Sequence, residues 1–167
     1  MKKSNKKGFT LVELVVVIAI IGVLAAILVP SMMGYVKKSR LKTANSNAKS
    51  AYNAIATFVA DQETKGEPVV FTGTGTNVLA AGSYDCKNGP ANTTALADKV
   101  HKICYDTLGE NGKEAGIAFV GGANINGKDT FFVQWKKTAS DDMIGQYPDA
   151  VADVDAAQSA TWGTYVS

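Results

Sequence analysis

The chain has few of the residues that perform chemistry. Its 167 residues include one histidine, His101, and two cysteines, Cys86 and Cys104. No grouping of His, Cys, Asp and Glu has zinc-ligand spacing. No serine stands beside a base that would make it a nucleophile. Gly73-Thr74-Gly75 and Gly121-Gly122 lack the flanking residues of a P-loop or a dinucleotide fingerprint, so loop chemistry explains them. His101 falls among lysines on a predicted helix, where solvent exposure is expected rather than a base or ligand role. An enzyme, a resident metal and a cofactor therefore all lack support.

A basic excess is missing as well. The chain has 17 basic and 15 acidic residues, but Lys2, Lys3, Lys6 and Lys7 all precede Gly8. Beyond them 13 basic residues face 15 acidic ones. Such a balance gives no support for nucleic-acid binding, which needs a basic patch on the folded domain.

What the chain does have is one long apolar run. Residues 9–29, FTLVELVVVIAIIGVLAAILV, number 21 and contain one charge, Glu13. At about 1.5 Å rise per residue such a helix spans roughly 30 Å, the thickness of a hydrocarbon core. A secretory signal has a shorter apolar region, about 7–15 residues, ending at a small-x-small cleavage site. Ala25-Ala26 supplies small residues, yet the run continues to Val29 without a polar step. The segment is expected to be retained. A carboxylate inside it is costly unless something pairs with it.

The residues at its start carry a resemblance. Lys6-Lys7-Gly8-Phe9-Thr10-Leu11-Val12-Glu13 resembles the cleavage and methylation signature of type IV prepilins and their pseudopilin relatives, and Gly22 and Pro30 match later positions of that pattern. The likeness covers about the first 35 residues. It implies that a prepilin peptidase cuts between Gly8 and Phe9 on the cytoplasmic side and methylates the new N-terminal Phe9. The freed α-amine, with a reference pKa near 8, is mostly cationic at neutral pH. In a staggered stack of helices it can reach Glu13 of a neighbouring subunit, giving a charge-assisted pair that sets register. The alternative is a Glu13 that snorkels to the headgroups. Lys37, Lys38, Arg40 and Lys42 follow the span, so charge alone decides orientation weakly. The resemblance implies a single-pass precursor in the bacterial cytoplasmic membrane, N-terminus inside, and afterwards an extracellular pilus.

Downstream of Pro30, Leu41, Ala44, Ala48, Ala51, Tyr52, Ile55, Phe58 and Val59 recur at spacings of three and four, one buried helical face. Lys38, Lys42, Asn45, Lys49 and Asn53 fall opposite. With no strong breaker before Gly66-Glu67-Pro68, one helix is expected from about Phe9 to Gln62, bent or loosened between Gly22 and Pro30. The expected organisation is a leader at 1–8, a transmembrane and polymerisation helix at 9–29, its amphipathic continuation at 30–62 and a globular domain at 63–167. Within the last, a helix is expected over 94–108 and a β-hairpin over 117–135 that turns at Asn126-Gly127. A further strand is expected at Thr161-Trp162-Gly163-Thr164-Tyr165-Val166. The fold class is α+β: a long helical spine, transmembrane in its first half, with a small antiparallel sheet packed on the second half.

Cys86 and Cys104 are either bridged, tying a loop to the 94–108 helix, or two small buried thiols. Many pilins carry a disulfide that staples a C-terminal loop, but this pair lies before the hairpin and is not that feature. Trp135, Trp162, Tyr147 and Tyr165 form an exposed aromatic strip or pack the sheet on the helix. Asp141, Asp142, Asp149, Asp153 and Asp155 match no EF-hand spacing and are expected to be a solvated loop. Some pseudopilins hold calcium in a comparable place.

The function implied is that of a structural subunit of a type IV pilus-like filament. The alternatives are a pseudopilin of a secretion or DNA-uptake machine and an adhesive minor pilin. The partners implied are further copies of the chain, minor pilins, the prepilin peptidase, an inner-membrane assembly platform with its ATPase, and membrane lipid before assembly.

Overall fold

A computed structural model describes residues 8–71 and 77–166. The leader lysines Lys2, Lys3, Lys6 and Lys7 and the Gly73-Thr74-Gly75 run lie outside them. Helix α1 covers Leu11–Thr64. The chain divides into two compact units, one up to Lys37 and one from Lys38 onward.

In the first unit the backbone from Leu11 is continuously helical, and Gly22 and Pro30 both lie in helical backbone. The side chains of residues 8–37 are exposed throughout, including Leu11, Ile18, Ile21, Leu24 and Ile27. The helix is long and apolar enough to cross a membrane.

The second unit is built on the remainder of α1. Leu41, Ala44, Ala48, Ala51 and Ile55 are buried, and Tyr52, Phe58 and Val59 pack beside them, as their spacing predicts. Small residues on this face let a sheet approach closely. A Cβ on Gly145 would lie 2.2 Å from the Ala44 carbonyl carbon and 2.3 Å from the Asn45 nitrogen, so only glycine fits there. Asn45 departs from the expected polar face. Its amide donates to the Val151 carbonyl at 2.9 Å, and its Oδ1 accepts from the Gln146 N–H at 3.0 Å.

The sheet is antiparallel throughout, in the order β1 (Gly82–Asp85), β2 (Ile117–Ile125), β3 (Lys128–Lys136) and β4 (Gly145–Tyr147). The β2–β3 hairpin pairs Ile125 with Lys128 and turns at Asn126-Gly127, with φ of 54° and 79°. Two consecutive positive φ values are what a tight I′ turn requires. Helix α2 (Leu96–Leu108) packs Val100, Cys104 and Leu108 into the core. Short helix α3 (Val154–Ser159) is capped by Asp153, whose side chain accepts from the Ala156 N–H at 2.8 Å.

Side chains alternate across the sheet as the two-residue period demands. Phe131, Val133 and Trp135 join the core with α1, and Phe131 stacks on Tyr52 at 4.4 Å. The opposite face carries Phe132 and Gln134, both fully buried. Their cover is the C-terminal segment, which corrects the strand expected at 161–166. No strand forms there. Two amide side chains hold it in place of a backbone ladder. Gln134 accepts from the Gly163 N–H at 2.7 Å and donates to the Thr164 carbonyl at 2.7 Å. Gln146 accepts from the Val166 N–H at 2.9 Å and donates to its carbonyl at 2.7 Å. Trp162 and Tyr165 meet Phe119 and Phe132 edge-on from this segment.

Two further points concern the stretch 66–89, whose Gly, Thr, Asn and Ala content reads as a long loop, and the four aromatics, which take the packing alternative. Gly82–Asp85 pairs with residues 117–120 as an edge strand. Trp135 is buried and donates to the Ala115 carbonyl at 2.8 Å, while Tyr147 packs on Tyr52. The four aromatics thus serve packing on both faces of the sheet.

Candidate processing and assembly segment

The segment begins with Gly8 and Phe9, both exposed and ahead of the first helical residue. Among the described residues, a Cβ on Gly8 would meet nothing within 4 Å. Thr10 follows as the helix cap. Its hydroxyl oxygen accepts from the Glu13 N–H at 3.3 Å. The Glu13 carboxylate accepts from the Thr10 N–H at 2.8 Å and from the Thr10 hydroxyl at 2.7 Å. This is a reciprocal capping box, T-x-x-E, which satisfies backbone donors that no helical turn precedes. Thr10 and Glu13 both lie within the prepilin-like signature, so the cap signal is present in the sequence as well.

Glu13 thus has local donors and yet no cationic partner among the described residues of the chain. Around it the surface is apolar and exposed: Phe9 is 77% accessible and Leu11 78%. Gly22 and Pro30 lie further along; Pro30 lacks an N–H for the helical ladder, and Gly22 has open space around it.

The other candidates separate from this segment. The Cys86 and Cys104 thiols are brought together and fully buried, and both are unbridged. The ring of His101 is turned to the Asp85 carbonyl, 2.9 Å from Nε2, and lies beside Tyr84. Of the five aspartates expected as one solvated loop, four have separate roles, and Asp155 lies exposed in the first turn of α3. Asp141 takes a bidentate bond from Arg40 at 2.7 and 2.9 Å, with its side chain only 7% exposed. Asp142 accepts from Gln158, Asp149 from the Tyr165 hydroxyl, and Asp153 caps α3. Among the described residues no group of three or more His, Cys, Asp or Glu is placed to hold a metal ion.

Fold and segment together define a class: a subunit with a long, exposed, apolar N-terminal helix and a small α+β domain packed on the helix continuation. Residues 3–29 match the prokaryotic N-terminal methylation motif. The chain is 33% identical over 127 residues to the type IV major fimbrial protein FimA of Dichelobacter nodosus, covering 75% of this chain and 81% of that protein. It is 44% identical over 62 residues to the fimbrial protein EcpC of Eikenella corrodens, 37% of this chain and 40% of that one. It is 40% identical over 59 residues to the type IV major pilin protein PilA of Myxococcus xanthus, 35% of this chain and 27% of that one. No solved structure matches the chain. The chain belongs to the type IV pilin family.

Proposed function

We propose that this chain is the structural subunit of a type IV pilus, stored in the bacterial cytoplasmic membrane and polymerised through its N-terminal helix. The observation that carries the proposal is the exposed apolar helix headed by Gly8-Phe9 and bearing Glu13 one turn inside. Such a surface is stable in only two settings, hydrocarbon and a bundle of like helices. The named relatives are major fimbrial subunits, which favours the pilus over a secretion pseudopilus.

In this reading the lysine-rich leader stays in the cytoplasm and the domain from Lys38 is exported. The prepilin peptidase cuts at Gly8-Phe9 and methylates Phe9. The new amine of one subunit then pairs with Glu13 of a neighbour as the assembly platform, driven by its ATPase, extracts the helix from lipid. A buried charge pair is a poor source of net stability but a good setter of register, because leaving one member unpaired costs about 3–5 kcal/mol. Gly22 and Pro30 let the helix loosen once packed, so that the fibre stretches. The chain catalyses nothing; its work is mechanical, in company with copies of itself and minor pilins.

The test is the intact mass of fibres sheared from the cell surface. The expected species begins at Phe9 and carries one methyl group. A chain that still begins at Met1, or that occurs only in the membrane, would contradict the proposal.

A further inference from the structure

We propose that Cys86 and Cys104 form a disulfide in the exported protein, tying the end of β1 covalently to α2. The inference rests on the proposed export of this domain, because the bridge persists only in an oxidising compartment.

Two independently anchored elements bring these sulfurs together. Cys86 directly follows β1, and its backbone N–H is fixed to the Gly116 carbonyl at 3.1 Å. Cys104 sits on the inward face of α2 between Val100 and Leu108. Both side chains are fully buried in one apolar cluster, near enough that each thiol shifts the other's acidity. The Cys86 thiol also donates to the Tyr84 carbonyl, 3.6 Å away. The nearby His101 ring is turned to the Asp85 carbonyl, and among the described residues no metal-holding group includes the pair. A pair of facing thiols without another task is the arrangement a bridge needs.

The place in the fold gives the bridge a purpose. Seventeen residues separate the two cysteines. Beyond the first turns, residues 89–95 run without strand or helix, and the α2 cap, Ala95, offers no side-chain bond. α2 is therefore held to the sheet by packing rather than by a ladder, and a crosslink removes its main route of detachment.

The reaction requires an oxidant, and a thiol oxidoreductase of the exterior compartment bearing its own disulfide fits. The Cys86 thiolate attacks one sulfur of that disulfide and expels the other as a thiolate. The Cys104 thiolate then attacks the mixed disulfide at the Cys86 sulfur and expels the second thiolate. Two S–H bonds are lost and one S–S bond forms; the two electrons end on the oxidoreductase dithiol, and the two protons pass to it and to solvent. Because both sulfurs are closed off in the folded domain, oxidation precedes the docking of α2.

The experiment is maleimide labelling of sheared surface material, denatured without reductant and read by intact mass. The expected chain takes no adduct before reduction and two after it. Two adducts before reduction would overturn the bridge. If the chain is missing from sheared material, the pilus reading fails, and the same labelling of chain extracted from membranes decides the disulfide separately. As a second measurement, reductant should lower the wild-type Tm by roughly 5–10 °C and leave a Cys86→Ala/Cys104→Ala variant unmoved. An unchanged wild-type Tm would also overturn it.

Discussion

Glu13 is held by Thr10 of its own helix: the carboxylate accepts from both the amide and the hydroxyl of Thr10, at 2.8 and 2.7 Å. Under the proposed function, these bonds shelter the carboxylate of a subunit held in lipid until a cationic amine offers a stronger, charge-assisted bond; Thr10 then serves storage, and Glu13 both storage and assembly.

That division separates two variants. Thr10→Ala removes the cap, at a cost of about 1 kcal/mol, and leaves the carboxylate for a neighbour's amine. Amide exchange of the first helical turn, measured on the full chain in detergent, should quicken by about fivefold, a cost of about 1 kcal/mol expressed as a rate. Fibres should still form. Unchanged exchange would show that the box contributes nothing.

The C-terminal segment depends on two buried amides. Gln134→Leu keeps the bulk but leaves the Gly163 N–H and Thr164 carbonyl without their partner. The expected loss is about 2–3 kcal/mol in urea unfolding, together with faster proteolysis of residues 161–166. Equal stability would mean that Trp162 and Tyr165 hold the segment by packing alone.

These amides explain why part of the fold was legible in the sequence and part was not. The α1 face from Leu41 to Val59 and the Asn126-Gly127 hairpin follow from local rules, periodicity and turn chemistry, and both form as expected. Residues 161–166 are as rich in β-formers as a strand, yet strand formation is settled by what lies beside the backbone. Here it is glutamine side chains, whose reach across thirty residues no local pattern records. The edge strand Gly82–Asp85 had the opposite problem, since its Gly and Asp argue for a loop and only pairing with β2 overrides them. In the assembly segment Glu13 stood out as a lone charge in an apolar run, whereas Thr10 looked like an ordinary polar residue until its geometry was seen.

Alkaline pH should weaken the domain. Burial, its largest cause, pushes the Tyr84 hydroxyl up to about 12. Desolvation and the bond to Asp149 push Tyr165 up to about 12. An unfolded tyrosine ionises near pH 10, so the unfolded chain loses these protons first. The stability linked to them is complete below about pH 10 and disappears as pH rises toward 12. Denaturation midpoints of the detergent-solubilised chain should fall across that window, and less steeply in Tyr84→Phe. An absorbance titration showing no tyrosine component near pH 12 would contradict this.

The most direct measurement is electron microscopy of surface-sheared filaments, labelled for this chain, from cells carrying wild type or Glu13→Ala. Polymerisation through a paired Glu13 predicts labelled fibres from the wild type. From the variant it predicts few or none, with the processed subunit accumulating in the membrane. Labelled fibres in normal number and length from Glu13→Ala would contradict it.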